Sequence, residues 1–248
     1  MTRLRILLPL WASVVLVCAA CSGFPGRPGP NSEVIQPDQI LEFNILYAQN
    51  CAGCHGAGGS GGAGNALSDP VFLAIADISA IRNAASNGVR GTPMPAFAQS
   101  AGGMLTDKQI DSLVRGIRSW APSNDLRGFN PPPYATKTAG DAQHGADVYQ
   151  TFCSRCHGPN GTGGTKASSI VDPSYLALVS DQYLRTEVIA GRPELGAPDW
   201  RGNVPGRPMS DQEVTDVVAW LVARRGATRG QPYPDLKTAQ YQEQHHVD

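Results

Sequence analysis

The 248-residue chain carries 20 basic and 21 acidic residues, a formal net charge of −1, and no Lys/Arg cluster. That balance excludes the electrostatic field a nucleic-acid partner would require. Glycine (28) and proline (20) are abundant and aromatics amount to only 7%, so the length suits two modest, loop-rich domains, each short of apolar core.

At the N-terminus, Arg3 and Arg5 precede a mostly apolar run from Ile6 to Val17, followed by Ala19 and Ala20. Such a run suits the core of an export signal and falls short of the ~20 residues that span a bilayer. Residues 1–20 are therefore expected to be a signal peptide. The next residues, "CAAC" (18–21) followed by Ser22, resemble the cleavage box of bacterial lipoproteins. The resemblance implies lipidation of Cys21 and an exported product anchored on the periplasmic side of a bacterial membrane. Cys18 stands where that family usually has an aliphatic residue, and cleavage near Ala20 to give a soluble periplasmic product is the alternative. Lipidation at Cys21 would add several acyl chains, and stable anchoring takes more than one. Residues 21–35, rich in Gly and Pro and without periodicity, read as a solvated tether.

Ile40, Phe43, Leu46 and Tyr47 then recur at helical spacing. They lead into "CAGCH" (51–55). The proline-stiffened stretch "GTPMPAF" (91–97) follows, and "LTDKQIDSLVRGIRSW" (105–120) reads as an amphipathic helix with Thr106 as N-cap. A spacer over 123–138, with Pro131 to Pro133 in a row, reads as stiff and extended. The order then repeats: Gly145, Val148, Tyr149 and Phe152 on one stripe, "CSRCH" (153–157), "ELGAPDW" (194–200), and a helix from "MSDQEVTDVVAWLVARR" (209–225) capped by Ser210. A polar tail, 227–248, contains His245 and His246.

The cysteines carry the chemistry. Beyond Cys18 and Cys21, the remaining four of six lie in the two C-x-x-C-H motifs, the pattern for covalent attachment of c-type haem. Two thiols must add to the two vinyl groups on one porphyrin edge, and the adjacent histidine then binds iron. A thioredoxin-like pair would need no adjacent histidine. A four-thiolate zinc site joining Cys51 and Cys54 to Cys153 and Cys156 would leave His55 and His157 without a task. Two covalent haems are expected, held by Cys51, Cys54, Cys153 and Cys156.

On these motifs both halves resemble class I cytochrome c domains, over about 36–122 and 139–226. The resemblance implies an all-α fold: two tandem domains, each wrapped round one covalently bound haem, with a methionine loop facing the ring. It implies His55 and His157 as proximal axial ligands and Met94, 39 residues after His55, as the sixth ligand of the first iron, in preference to Met104. In the second half Ala197, 40 residues after His157, stands at the ligand position. Three options stay open there: Met209, delivered by the loop from Trp200 to Pro208; an open or water-bound iron; or a histidine such as His144. By the final helix Met209 aligns with Leu105, as the apolar residue stapled onto the first helical turn.

The expected function is a membrane-anchored dihaem carrier passing electrons between a membrane respiratory complex and redox partner proteins. The rival is a small-substrate, peroxidase-like haem oxidoreductase using an open second iron, with Asp199 and Glu194 the only acid–base groups near the gap.

Overall fold

The computed structural model describes residues 35–121 and 129–226. The expected signal peptide (1–20), Cys21 with the tether through residue 34, linker residues 122–128 and the tail with His245 and His246 lie outside the described residues. Among the described residues, five α-helices occur in each half, in the same order. The first half has α1 (Phe43–Asn50), α2 (Ala52–His55), α3 (Pro70–Ile75), α4 (Ile78–Asn87) and α5 (Asp107–Ser119). The second has α6 (Ala142–Phe152), α7 (Ser154–His157), α8 (Pro173–Leu178), α9 (Asp181–Ala190) and α10 (Asp211–Val222). No strand occurs among the described residues, and none of their helices is long and apolar enough to cross a membrane.

Local chemistry sets the helix starts. Asp69 and Asp172 each accept hydrogen bonds from the second and third N–H groups of α3 and α8, whose first residue is proline. Proline there loses no bond, because that N–H has no helical partner. Thr106 and Ser210, the N-caps read from the sequence, both form complete capping boxes, with Gln109 and Glu213.

In each half the first helix packs on the last. At each crossing a glycine allows the approach: a Cβ at Gly116 would strike the Phe43 ring, and one at Gly145 would strike the Asp216 carbonyl. Trp120 sits edge-on to Phe43 and Tyr47 at 5.1 and 5.0 Å, and Trp220 stacks on Tyr149 at 4.2 Å. Leu46, Ile110, Leu113, Val214 and Val217 are nearly sealed from solvent, each such side chain contributing about 1.5–3 kcal/mol.

From Ile40 onward the described residues form one compact unit, and buried side chains of both halves make one connected cluster. Helices α3 and α9 bring the halves together. The described end of the spacer is tied down as well. Arg185, 3% exposed, donates from Nε and Nη2 to the Pro133 carbonyl at 3.0 and 2.8 Å, and from Nη1 to Thr215 Oγ1 at 3.0 Å. Gln182 donates to the Tyr134 carbonyl at 2.8 Å.

Candidate haem centres

Each motif lies on a one-turn helix that continues from the preceding one. Cys51 N–H donates to the Tyr47 carbonyl at 2.8 Å and His55 N–H to the Cys51 carbonyl at 3.0 Å; Cys153 and His157 repeat this at 2.9 and 3.0 Å. Residues three apart on a helix share a face, so Cys51 and Cys54, like Cys153 and Cys156, are presented together. The turn is closed by a tyrosine hydroxyl: Tyr47 donates to the Gly56 carbonyl at 2.9 Å, and Tyr149 does the same to Gly158.

Both imidazoles are held through Nδ1, His55 on the Asn65 carbonyl at 2.8 Å and His157 on the Ser168 carbonyl at 2.9 Å. A carbonyl only accepts, so Nδ1 carries the proton and Nε2 keeps its lone pair for a metal. Burial lowers the His55 pKa, which favours the neutral, ligating form. Burial, and then the neighbouring thiol, pushes Cys51 up to about 11 and Cys153 up to about 12. The acceptors Asn65 and Ser168 have no sequence signature, because backbone carbonyls do the work.

An apolar cavity of about 280 Å³ is lined by Cys51, Cys54, His55 and Met94 together with Leu67, Phe72, Ile81, Phe97, Leu113 and Ile117. Two thiols, an imidazole and a thioether around one apolar void are a donor set that fits a c-type haem. Met94 is held in place by its loop: its carbonyl accepts from Val89 N–H at 3.0 Å and its N–H donates to Thr92 Oγ1 at 3.2 Å. Met104 is 82% exposed and lies outside the cavity wall. Among the described residues no three His, Cys, Asp or Glu side chains gather into a group able to hold a metal ion, so the two cysteine pairs do not form the four-thiolate alternative.

Comparison with known families agrees with this geometry. Residues 38–115 match the family described as cytochrome c oxidase, cbb3-type, subunit III, and residues 142–224 match the cytochrome c family. The chain is a dihaem c-type cytochrome. Its two tandem cytochrome c domains imply two covalently bound c-type haems. No curated protein matches the sequence. Among solved structures, a chain of the reducing HAO-like protein complex of Kuenenia stuttgartiensis aligns at 18% identity over 78% of this cytochrome and 100% of that chain, with a TM-score of 0.41.

The second half of the cytochrome repeats the backbone of the first but not its sulfur. Gly88 and Gly191, at φ 68° and 70°, end α4 and α9 alike. The next residue then bonds back across the loop, Val89 N–H to the Met94 carbonyl at 3.0 Å and Arg192 N–H to the Ala197 carbonyl at 2.9 Å. Before the last helix, Leu105 N–H donates to the Phe97 carbonyl at 2.8 Å and Met209 N–H to the Trp200 carbonyl at 2.9 Å. The Ala197 carbonyl thus accepts the bond equivalent to the one the Met94 carbonyl accepts, and the Met209 N–H donates as the Leu105 N–H does. Leu105 and Met209 are both buried, at 6% and 3% exposed, within the hydrophobic core.

The remaining polar candidates of the dihaem cytochrome all have partners. His144 Nδ1 pairs with Asp216 Oδ2 at 2.7 Å. Glu194 accepts from Arg192 Nε at 2.6 Å, and Asp199 accepts from Arg201 Nε at 3.0 and 3.1 Å.

Proposed function

We propose that this cytochrome carries electrons between a membrane respiratory complex and a redox partner protein, from the periplasmic side of a bacterial membrane to which Cys21 anchors it. The observation that carries the reading is the pair of cytochrome c domains packed into one compact unit, because tunnelling falls steeply with distance and gains from fixed separation. When bound, each haem supplies a one-electron Fe(III)/Fe(II) couple. The chain supplies the rest: Cys51, Cys54, Cys153 and Cys156 the thioether attachments, His55 and His157 the proximal nitrogens, and Met94 the sixth ligand of the first iron. Histidine–methionine ligation raises the reduction potential, which suits a carrier. The apolar cavity wall excludes water and further favours the reduced, less charged state. Stopped-flow mixing with a reduced quinol-oxidising complex or a small reduced carrier protein is expected to reduce both haems. Protein reduced by neither, though it holds two haems, would contradict electron carriage.

A second reading concerns the second iron. The Ala197 carbonyl is held across its loop as the Met94 carbonyl is, and Met209 sits in the core as Leu105 does, which favours a sixth position without methionine. That opens a route to small-ligand chemistry. The acid–base groups a peroxidase-like reaction would need are weakly represented, since Asp199 and Glu194 are both held by arginines. Low-temperature EPR is expected to show one low-spin and one high-spin ferric signal. The high-spin signal should vanish with cyanide or with Ala197→Met, and two low-spin signals together with a sulfur-to-iron band of two-haem intensity would restore Met209 as ligand.

A further inference from the structure

Helix α9 belongs to the second half, yet it forms part of the first haem centre. Gln182, Tyr183 and Thr186 line the same cavity as Cys51, Cys54, His55 and Met94. Beside that cavity the second half grips the segment Gly62–Asn65. Arg192 Nη2 donates to the Gly62 carbonyl at 2.8 Å, Tyr183 Oη to the Ala63 carbonyl at 3.2 Å, and Asn65 Nδ2 to Glu187 Oε1 at 2.9 Å. Asn65 is also the residue whose carbonyl holds His55 Nδ1 at 2.8 Å. Two hydrogen bonds therefore lead from a carboxylate of one half to the axial histidine of the other.

We propose that Glu187 is a positioning residue for the first haem: by pinning Asn65 it sets the hydrogen bond that orients His55, and its charge sets that centre's reduction potential. The inference rests on His55 being an iron ligand, as in the function proposed above. Outer-shell partners of a ligating histidine fix its ring and raise its basicity. A firmer hold on Nδ1–H stabilises Fe(III), as does a nearby negative charge, so both effects lower the potential.

The surroundings make this charge responsive. The Glu187 side chain is 17% exposed, and its Oε2 lies 3.5 Å from Arg192 Nη1. Burial pushes its carboxyl up to about 7, against the opposing pull of Arg192 and Asn65. Glu194, Tyr183 and Tyr175 also bear on it or on the Arg192 beside it, and Asp69, the N-cap of α3, interacts electrostatically with Glu194. As pH rises through neutrality Glu187 ionises, and the first centre's potential should fall. His157 has no such link to the first half among its described hydrogen bonds.

The test is spectroelectrochemistry of the full dihaem protein from pH 5.5 to 8.5, after covalent haem has been counted by the pyridine haemochrome assay. The wave displaced by Met94→Ala is that of the first centre. In the parent protein that wave should shift downward with rising pH. Glu187→Gln, which keeps the size and an acceptor oxygen, should raise it and flatten its pH dependence while leaving the other wave in place. Asn65→Ser should weaken the pH dependence and change the low-spin EPR g-values that report ring orientation. A flat first wave in the parent protein, or two-haem Glu187→Gln protein with unaltered potentials, overturns the inference alone. Protein without covalent haem overturns the proposed function and this inference with it.

Discussion

A single atom type distinguishes the two centres at the residue scale. The carbonyls of Met94 and Ala197 accept equivalent backbone bonds, but only one residue has a sulfur to offer. Met94→Ala is expected to leave the haem attached, abolish the sulfur-to-iron absorption band and convert the first iron to high spin. A band of unchanged intensity would remove Met94 from the coordination sphere. The His144–Asp216 pair gives a pH prediction. Its hydrogen bond to Asp216 raises His144, so the stability it contributes is present below about pH 6.5 and is lost as pH rises through the raised value. Asp216 would be raised by burial, but hydrogen bonds from Asp141 N–H, His144 and Gln212 outweigh that and lower it. Its share therefore persists down to acid pH. The melting-temperature difference between the parent and His144→Ala should shrink from pH 5.5 to pH 8.5, and a constant difference would contradict the pair. At this scale the attachment motifs were legible because covalent chemistry dictates both residue type and spacing. The Asn65 and Ser168 carbonyls were not, since every residue has one.

The helix starts and faces were legible at the scale of elements. Thr106 and Ser210 follow a local hydrogen-bonding rule that needs no tertiary information, and both cap as read. Ser210→Ala should cost about 1 kcal/mol, seen as a lower denaturation midpoint at unchanged slope. Gly145→Ala is expected to cost more, roughly 1–3 kcal/mol, because its Cβ would meet the Asp216 carbonyl of α10. A melt indistinguishable from the parent's would mean that the crossing relaxes freely. What periodicity could not reveal was the partner of each face. Nothing in the local sequence of α9 says that Tyr183, Glu187 and nearby Arg192 reach the other half. Such contacts join residues about 120–130 apart in sequence, beyond the range of any local rule.

The repeat itself was legible at the scale of the whole molecule, from the 102-residue offset of the motif histidines. The packing of the halves was not. The proline-rich spacer reads as stiff and extended without saying what it packs on; its described end is bound by Arg185 and Gln182, and Tyr134 also lines the first cavity. The sparse aromatic content and the apolar void at the first centre mean that a bound porphyrin would complete a core the polypeptide leaves unfilled. Haem-free protein should therefore lack a cooperative melt, and a native-like transition in its absence would contradict that role. The most direct test of the account is the mass of the mature protein after denaturation and acetone extraction, when made with a working haem-maturation system. One species carrying two haems and retaining its Soret absorbance is expected; a bare polypeptide mass with no Soret band would contradict covalent attachment on both halves.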